Sequence, residues 1–480
     1  MNRTLFSLGL SAVALAAVTL LAGCASSSGI APSKAQAIDA KTLSANTAAD
    51  TAPLAMDDSP WWQSFGDSQL NALVETALAH NPNLRLAQAR VAKAQSFSDV
   101  ADAALLPQVN AGLDATRQKY TAVGAVPAPL AGNIYESGTL QLTAGWELDF
   151  FGKYDAALKA ALGQVSATQA ELAAARMLLA SNLTRQYFAL ARIQAQLSVA
   201  ERALAQRTQT LLLVQDRVNA GLDTQMELRA AESALPDARL QIEQLREQQT
   251  LARNAIAALV SKPNSDLARI EPAQPTIKTV ASDTTVNIDV IGRRPDVAAA
   301  RARIEAATND VAHARTQFYP NINLNAFAGW SSIGLDKLTT VKSEQWGVGP
   351  AIRLPVFDAG RLRANLRAKT ADLDAAVESY NAQVIDAVRD VSDQLASQRA
   401  IALQQAEQAQ AQRSAEAAYS IALQRFEAGL GNYLQVLSAE TAVLGQRRAA
   451  VDLQARVLDT QVQLIRALGG PLPQASSAAQ

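Results

Sequence analysis

The chain of 480 residues sets 43 Lys and Arg against 44 Asp and Glu, a formal charge of −1. It therefore has no basic excess with which to hold nucleic acid. Two histidines and a single cysteine leave no metal-binding pair and no nucleophile–base constellation, so neither an enzyme nor a cofactor is expected.

The N-terminus places Arg3 before an apolar run from Leu5 to Leu21, interrupted by Ser7, Gly9, Ser11 and Thr19. That is the layout of a secretory signal, too short and too interrupted for a spanning helix. The lone cysteine follows at once, in LAGC (21–24), and this resembles a bacterial lipobox. The resemblance implies a signal peptide over 1–23, acylation at Cys24 and a lipid-anchored tail over 24–60. Ala25 stands where Asp would hold such a lipoprotein back from the outer membrane. Residues 25–60 are a Ser/Ala/Thr/Pro stretch with no apolar period, read as an extended or flexible tether.

Beyond the tail the chain is written twice. Residues 81–109 align with 294–322, matching Pro82 to Pro295 and Pro107 to Pro320. RVNAGLDTQMELRAAES (217–233) aligns with RFEAGLGNYLQVLSAET (425–441). The first repeat occupies 61–260 and the second 295–468, with a linker at 261–294 and a tail at 469–480. Each opens with a helix at its Asn-Pro or Arg-Pro, where proline suits the first helical position, and stops near Pro107 or Pro320.

Strict alternation comes next, in hairpins about 107–150 and 320–357. Apolar Val109, Ala111, Leu113, Leu140, Leu142 and Trp146 interleave with polar neighbours, and so do Ile322, Leu324, Trp346 and Ile352. The hairpins are expected as two isolated pairs, with loops at 118–135 and 331–344. Strand length and alternation suit a membrane barrel, with Leu140, Leu142, Trp146, Ile322, Leu324 and Trp346 toward lipid. Gln141, Glu147, Asn323 and Arg353 then face the lumen. Four strands cannot close a barrel, so several chains must pool theirs.

Long helices follow, from Gly152 to about Ala220 and from Gly360 to about Ala428, each about 100 Å at helical rise. Leu183, Leu190, Leu197, Leu204, Leu211 and Val218 recur every seventh residue, the signature of a coiled coil. Each long helix meets an Ala-Gly-Leu, reverses, and returns over Gln225–Leu259 or Tyr433–Leu468. Gly221 and Gly429 fit left-handed C-caps, and Pro236 is expected to kink the first return helix. The stretch GWELDFFGK (145–153) superficially resembles a phosphate loop, but six residues separate its glycines where that motif has four.

WWQSFGD with Leu70 (61–70), NPNL (81–84), RRPDV (293–297), FYPNI (318–322), LPVFDAGR (354–361) and RFEAGLGNYLQVL (425–437) occur in this order. Together with LAGC they resemble the TolC-like outer membrane factors, lipoprotein branch, over essentially the whole chain. The resemblance implies a mainly α fold with membrane β: a homotrimeric 12-stranded outer-membrane barrel, four strands per chain, continuing into a periplasmic α-helical coiled-coil barrel. It implies a passive efflux duct served by a periplasmic adaptor and an inner-membrane pump. A duct for type I protein secretion is the alternative, and a coiled-coil lipoprotein without a pore is disfavoured by the hairpins. Adaptor docking is implied at Gly221, Leu222, Gly429 and Leu430. A gate is implied near Arg217, Arg425, Asp223, Glu227 and Gln435, the arginines tying to Asp216, Asp223, Glu227 or Glu427. Relatives with an acidic Tyr-Leu-Asp-Val-Leu-Asp constriction differ here, where Gln435 and Ser438 replace both acids.

Overall fold

The computed structural model describes residues 26–38, 60–267, 270–272 and 292–470. The signal segment, Cys24, most of the linker and the last ten residues lie outside them. The elements are α1 (Ser68–His80), α2 (Pro82–Ala103), β1 (Gln108–Lys119), β2 (Ile134–Leu148), α3 (Lys153–Asn219) and α4 (Gln225–Val260). The second repeat gives α5 (Pro295–Thr316), β3 (Asn321–Ile333), β4 (Glu344–Arg353), α6 (Arg361–Glu427) and α7 (Tyr433–Ala467). Both long helices contain 67 residues. Contacts divide the chain into two units: Arg90–Thr168 and Ala299–Tyr380 with the N-terminal residues to Ala37, and Ile38–Ala89, Gln169–Ala298 and Asn381–Gln480.

In the first unit the expected pair of isolated hairpins is corrected to one sheet. β2 also pairs antiparallel with β3, giving the order β1-β2-β3-β4. A lone two-stranded hairpin is marginal, and the extra ladder supplies the missing partner. β3 also runs on to Ile333, three residues into the loop expected at 331–344. Its Phe327 breaks the alternation by sitting on the polar face. There its ring covers Gly347, where a Cβ would fall 2.6 Å from the ring.

Helices α3 and α5 pack against each other at Gly163, where a side chain would press on the Ala306 backbone at 3.0 Å. Val311, Ala314, Phe318, Leu362 and Leu366 form this unit's small core, with Ile30 of the tail packed on it. Over 26–38 the tail has no helix or strand, yet it is tied down. The Asp374 carboxylate accepts from the Ser33 hydroxyl at 2.6 Å and from the Lys34 and Ala35 N–H groups, and Arg363 donates to the Ser28 carbonyl at 2.9 Å.

In the second unit Trp61, Phe65, Leu70, Val74, Leu183, Tyr187 and Phe188 share a core with Ile256, Leu458 and Val462. The heptad residues Leu183 and Leu190 are fully buried in it, while Leu197 and Leu204 are partly covered. Asp67 caps α1 through the Gln69 and Leu70 N–H groups and accepts the Tyr187 hydroxyl at 2.6 Å. Burial, then that carboxylate, pushes the Tyr187 phenol far up. Pro236 lies inside α4 without ending it.

Candidate functional site

Two surfaces carry the features singled out in the sequence: the faces of the sheet and the turns that end the long helices. Paired strand positions share a face, so the register assigns every side chain. Leu140 stands opposite Trp330, Trp146 opposite Leu324, Ala328 opposite Trp346 and Ile322 opposite Ile352. All six residues expected to face outward therefore fall on one side, and Gln141, Glu147, Asn323 and Arg353 on the other. The apolar face is bare: Leu113, Trp346, Val348 and Ile352 are each about two-thirds exposed or more. Burying such side chains stabilises by about 1.5–3 kcal/mol each, and here that gain is unrealised within one chain.

The turn after α3 is a glycine-centred stop. Gly221 adopts φ +74°, the Leu222 N–H reaches back to the Arg217 carbonyl at 2.8 Å, and the Gly221 N–H bonds the Val218 carbonyl. The turn after α6 repeats this at Gly429, also at φ +74°, with Leu430 N–H to the Arg425 carbonyl at 2.8 Å. Leu222 and Leu430 both project into solvent. Beneath them Val214, Ala231, Phe426, Tyr433 and Val436 pack into one small core, where burial and then Glu440 push the Tyr433 phenol up to about 12.

The two matched arginines part company. Arg217 grips both oxygens of Asp223, at 2.8 and 3.2 Å, donates to the Phe426 carbonyl at 3.2 Å and lies 4.6 Å over the Phe426 ring. Its pKa is raised, chiefly by the Asp223 hydrogen bond. Arg425 donates only to the Leu430 carbonyl in its own turn, at 3.3 Å, and no carboxylate lies within ion-pair reach of it among the described residues. The cause is one residue: Gly431 stands where the first repeat has Asp223. Of the four acids expected as ties, only Asp223 pairs with an arginine here. The Glu227 carboxylate accepts from the Thr224 N–H and hydroxyl at 2.7 and 3.1 Å and is spent on starting α4. The Gln435 N–H is bonded by the Asn432 side chain in the matching cap.

Sequence reading missed the internal clamps. RRPDV is one: Arg294 holds Asp296 at 2.7 Å and Asp390 at 3.3 Å and donates to the Ala467 carbonyl. Burial pushes the Asp296 carboxyl up, but the Arg294 guanidinium outweighs it and leaves the group below its ordinary value. Arg207 with Glu440 is another, 3.2 Å apart and nearly buried. Polar matches between the repeats were the available signal, hidden because these residues look like the solvated faces of helices. The phosphate-loop lookalike is a helix cap: Asp149 accepts the Lys153, Tyr154 and Asp155 N–H groups. Among the described residues, no three His, Cys, Asp or Glu side chains cluster as metal ligands.

Comparison with known proteins adds an independent finding. Residues 73–261 and 289–470 match the family model described as Outer membrane efflux protein. The multidrug resistance outer membrane protein MdtP of Shigella flexneri is 33% identical over 85% of this chain and 86% of its own length. MdtQ of Escherichia coli O157:H7, of like description, is 31% identical over 98% and 99%. Among solved structures, the outer membrane protein VceC of Vibrio cholerae superposes with a TM-score of 0.81 at 35% identity, over 85% of this chain and 98% of that one. The outer-membrane channel OprN gives 0.80 at 26%, over 93% and 98%.

Proposed function

This chain belongs to the outer membrane efflux protein family, and from that premise we propose that it is one of three identical subunits of a passive outer-membrane duct. Small toxic molecules cross it from the periplasm to the outside. One observation carries the reading: a four-stranded sheet with one continuous, bare apolar face and one polar face. Such a sheet is stable only where lipid covers the first and water the second. A membrane barrel needs at least eight strands, and three copies of four supply twelve.

The rest of the reading follows from the same physics. The long helices continue the duct into the periplasm. Leu222 and Leu430 are apolar knobs on the turns and meet a periplasmic adaptor, which couples the duct to an inner-membrane pump. Gly221 and Gly429 hold those turns in shape. Arg425 and Gln435, free of acids, line the gate; Arg217 and Asp223 brace it from within one chain. Cys24 carries lipid, and residues 26–35 of the tail it leads lie along α6.

Charge on the lipid side tests the core of this. An arginine there near the bilayer midplane costs about 2–4 kcal/mol, so Leu142→Arg should abolish membrane insertion while Gln141→Arg leaves an ion-conducting trimer in planar bilayers. Equal insertion of both variants would remove the barrel. A conducting trimer that fails to restore drug export to a strain lacking its own channel would leave the barrel standing and remove the efflux role.

A further inference from the structure

The sheet has two free edges, β1 and β4, and the trimer proposed above has to join the β4 of one copy to the β1 of the next. We infer that this joint takes the register that sets Glu344 opposite Lys119, Gln345 opposite Gln118 and Arg353 opposite Asn110 of the neighbouring copy.

A walk across the sheet fixes the zero of stagger. Val109 on β1 pairs with Ala144, Ala144 with Ala326, and Ala326 with Val348 on β4. If Val348 met Val109 of the next copy the strands would have no stagger, and an unstaggered sheet does not close into a tilted barrel. The apolar faces must continue across the joint, which excludes every register that shifts by an odd number of residues. The opposite sense of stagger runs off the start of β1 at Gln108.

A two-residue stagger, with Val348 opposite Ala111, tilts the strands by only about 20° and carries Arg353 past the start of β1 at Gln108. Three registers remain, with Val348 opposite Leu113, Ala115 or Arg117. They stagger each copy by four, six or eight residues. With a strand rise of 3.4 Å and spacing of about 4.8 Å, these give tilts of about 35°, 47° and 55°. Membrane strands tilt by about 45°. The eight-residue stagger leaves Glu344 and Gln345 beyond the end of β1 at Lys119; the other two pair all of β4.

The internal repeat and the charges favour six. Gln108 and Asn321 each follow the matched proline. Crossing from β1 through β2 to β3 carries Gln108 to Asn325, four residues past its counterpart. The second crossing should advance in the same sense. In the six-residue register Arg353, paired with Asn321, meets Asn110, two past Gln108; in the four-residue register there is no advance at all. The four-residue register would also aim Glu344 at Arg117, which already lies 3.4 Å from Glu136 of its own chain. Neither Glu344 nor Lys119 has an ion-pair partner among the described residues, and the six-residue register gives each the other.

Disulfide trapping reads the register directly. Tyr120 bonds Asn133 across the β1–β2 ladder, so even-numbered β1 residues spend their backbone on β2. Across the joint they form the close, non-hydrogen-bonded pairs, with Cα atoms about 4.5 Å apart. A slip of two residues opens that to about 8 Å, beyond disulfide reach. Full-length chains carrying Gln345→Cys with Thr116→Cys, Gln118→Cys or Tyr120→Cys are oxidised in membranes, with Gln345→Cys alone as the control for Cys24. The expected result is a covalent ladder to trimer for the Gln118 pair, at least about tenfold stronger than for the others. As a second reading, Glu344→Lys should lower the temperature at which the trimer dissociates in detergent, and added Lys119→Glu should restore it. A ladder strongest at Thr116 or Tyr120, or absent from all three while an amine-reactive reagent still traps the trimer, overturns the register. Failure of that reagent to trap any trimer of the unaltered chain removes the trimer itself.

Discussion

The two repeats fold alike and place their charges in opposite ways. In the first, the turn between the long helices is bound by the Arg217–Asp223 pair, and the joint at the start of the repeat is neutral: the Asn81 side-chain amide donates to the Leu259 carbonyl at 2.9 Å. In the second, the turn has no acid and the joint is ionic, with Arg294 reaching the Ala467 carbonyl between Asp296 and Asp390. Asn81, Asn83 and Asn182 occupy the positions of Arg294, Asp296 and Asp390. The backbone contact is the same in both, from the start of the repeat to the end of its return helix. What the duplication has varied is which end is held by charge, and so which end of each helical hairpin is free to yield.

The largest expected effect is at the ionic joint. Arg294→Ala takes from Asp296 its cation, while Asp390 keeps Arg389 and Arg466, and should cost about 3 kcal/mol. Asn81→Ala, which loses the Leu259 contact and the cap on the Asn83 N–H, should cost about 1–2 kcal/mol, both read as thermal melting of the purified trimer. Equal losses would mean that the shared carbonyl contact, and not charge, holds both joints. At the turns, Arg217→Ala should cost about 1–3 kcal/mol by leaving Asp223 without its cation, seen as faster hydrogen exchange around 217–232.

Gly221→Ala and Gly429→Ala should each cost about 1 kcal/mol. The space around both is open, so the penalty is the left-handed backbone alone, and a difference between the two would show that the turns are not equivalent. Gly429→Glu should leave the trimer assembled and impair pump-dependent export. Gly431→Asp supplies the missing acid. The backbone there is outside the left-handed region. The new Cβ would stand 3.6 Å from that of Arg425 and 3.3 Å from the Gln435 side-chain oxygen, the far end of a flexible chain that can move aside. It should stiffen the second turn and lower the conductance of the isolated trimer, while Arg425→Ala should change stability by under about 0.5 kcal/mol and raise conductance. Unchanged conductance in both would remove Arg425 from the gate.

Acid sharpens the contrast most gently. Asp296 titrates below its ordinary 3.8 in the folded chain, so its share of the joint is complete above that value and fades as the pH falls below it. Acid-induced loosening should therefore start at the second joint, and Asp296→Asn should abolish that acid-dependent step.

Much of this architecture was legible in the letters because it is periodic. Heptad leucines, strand alternation and matched prolines each repeat over enough residues to fix an element, and the two Ala-Gly-Leu turns fall where glycine alone tolerates the backbone. The β2–β3 ladder was not legible, because nothing in either hairpin names its neighbour across the 172 residues that separate them. The divergence of Arg217 from Arg425 turned on Gly431, which reads as another turn glycine until the matching aspartate is seen gripping an arginine. Glu227 teaches the opposite: a carboxylate three residues into a helix is a cap before it is anything else, and here it caps α4.

The two 67-residue helices are an inherited ruler. Duplication delivered the same length twice, and three copies of the chain would use it six times around one tube. A residue added to one helix alone would turn its buried stripe by a hundred degrees relative to its counterpart and leave the two turns at unequal depth. Length can drift only when both repeats change together, and most cheaply by whole heptads. A paired deletion of seven residues from each long helix and its return partner should therefore be better tolerated than the loss of a single residue from one.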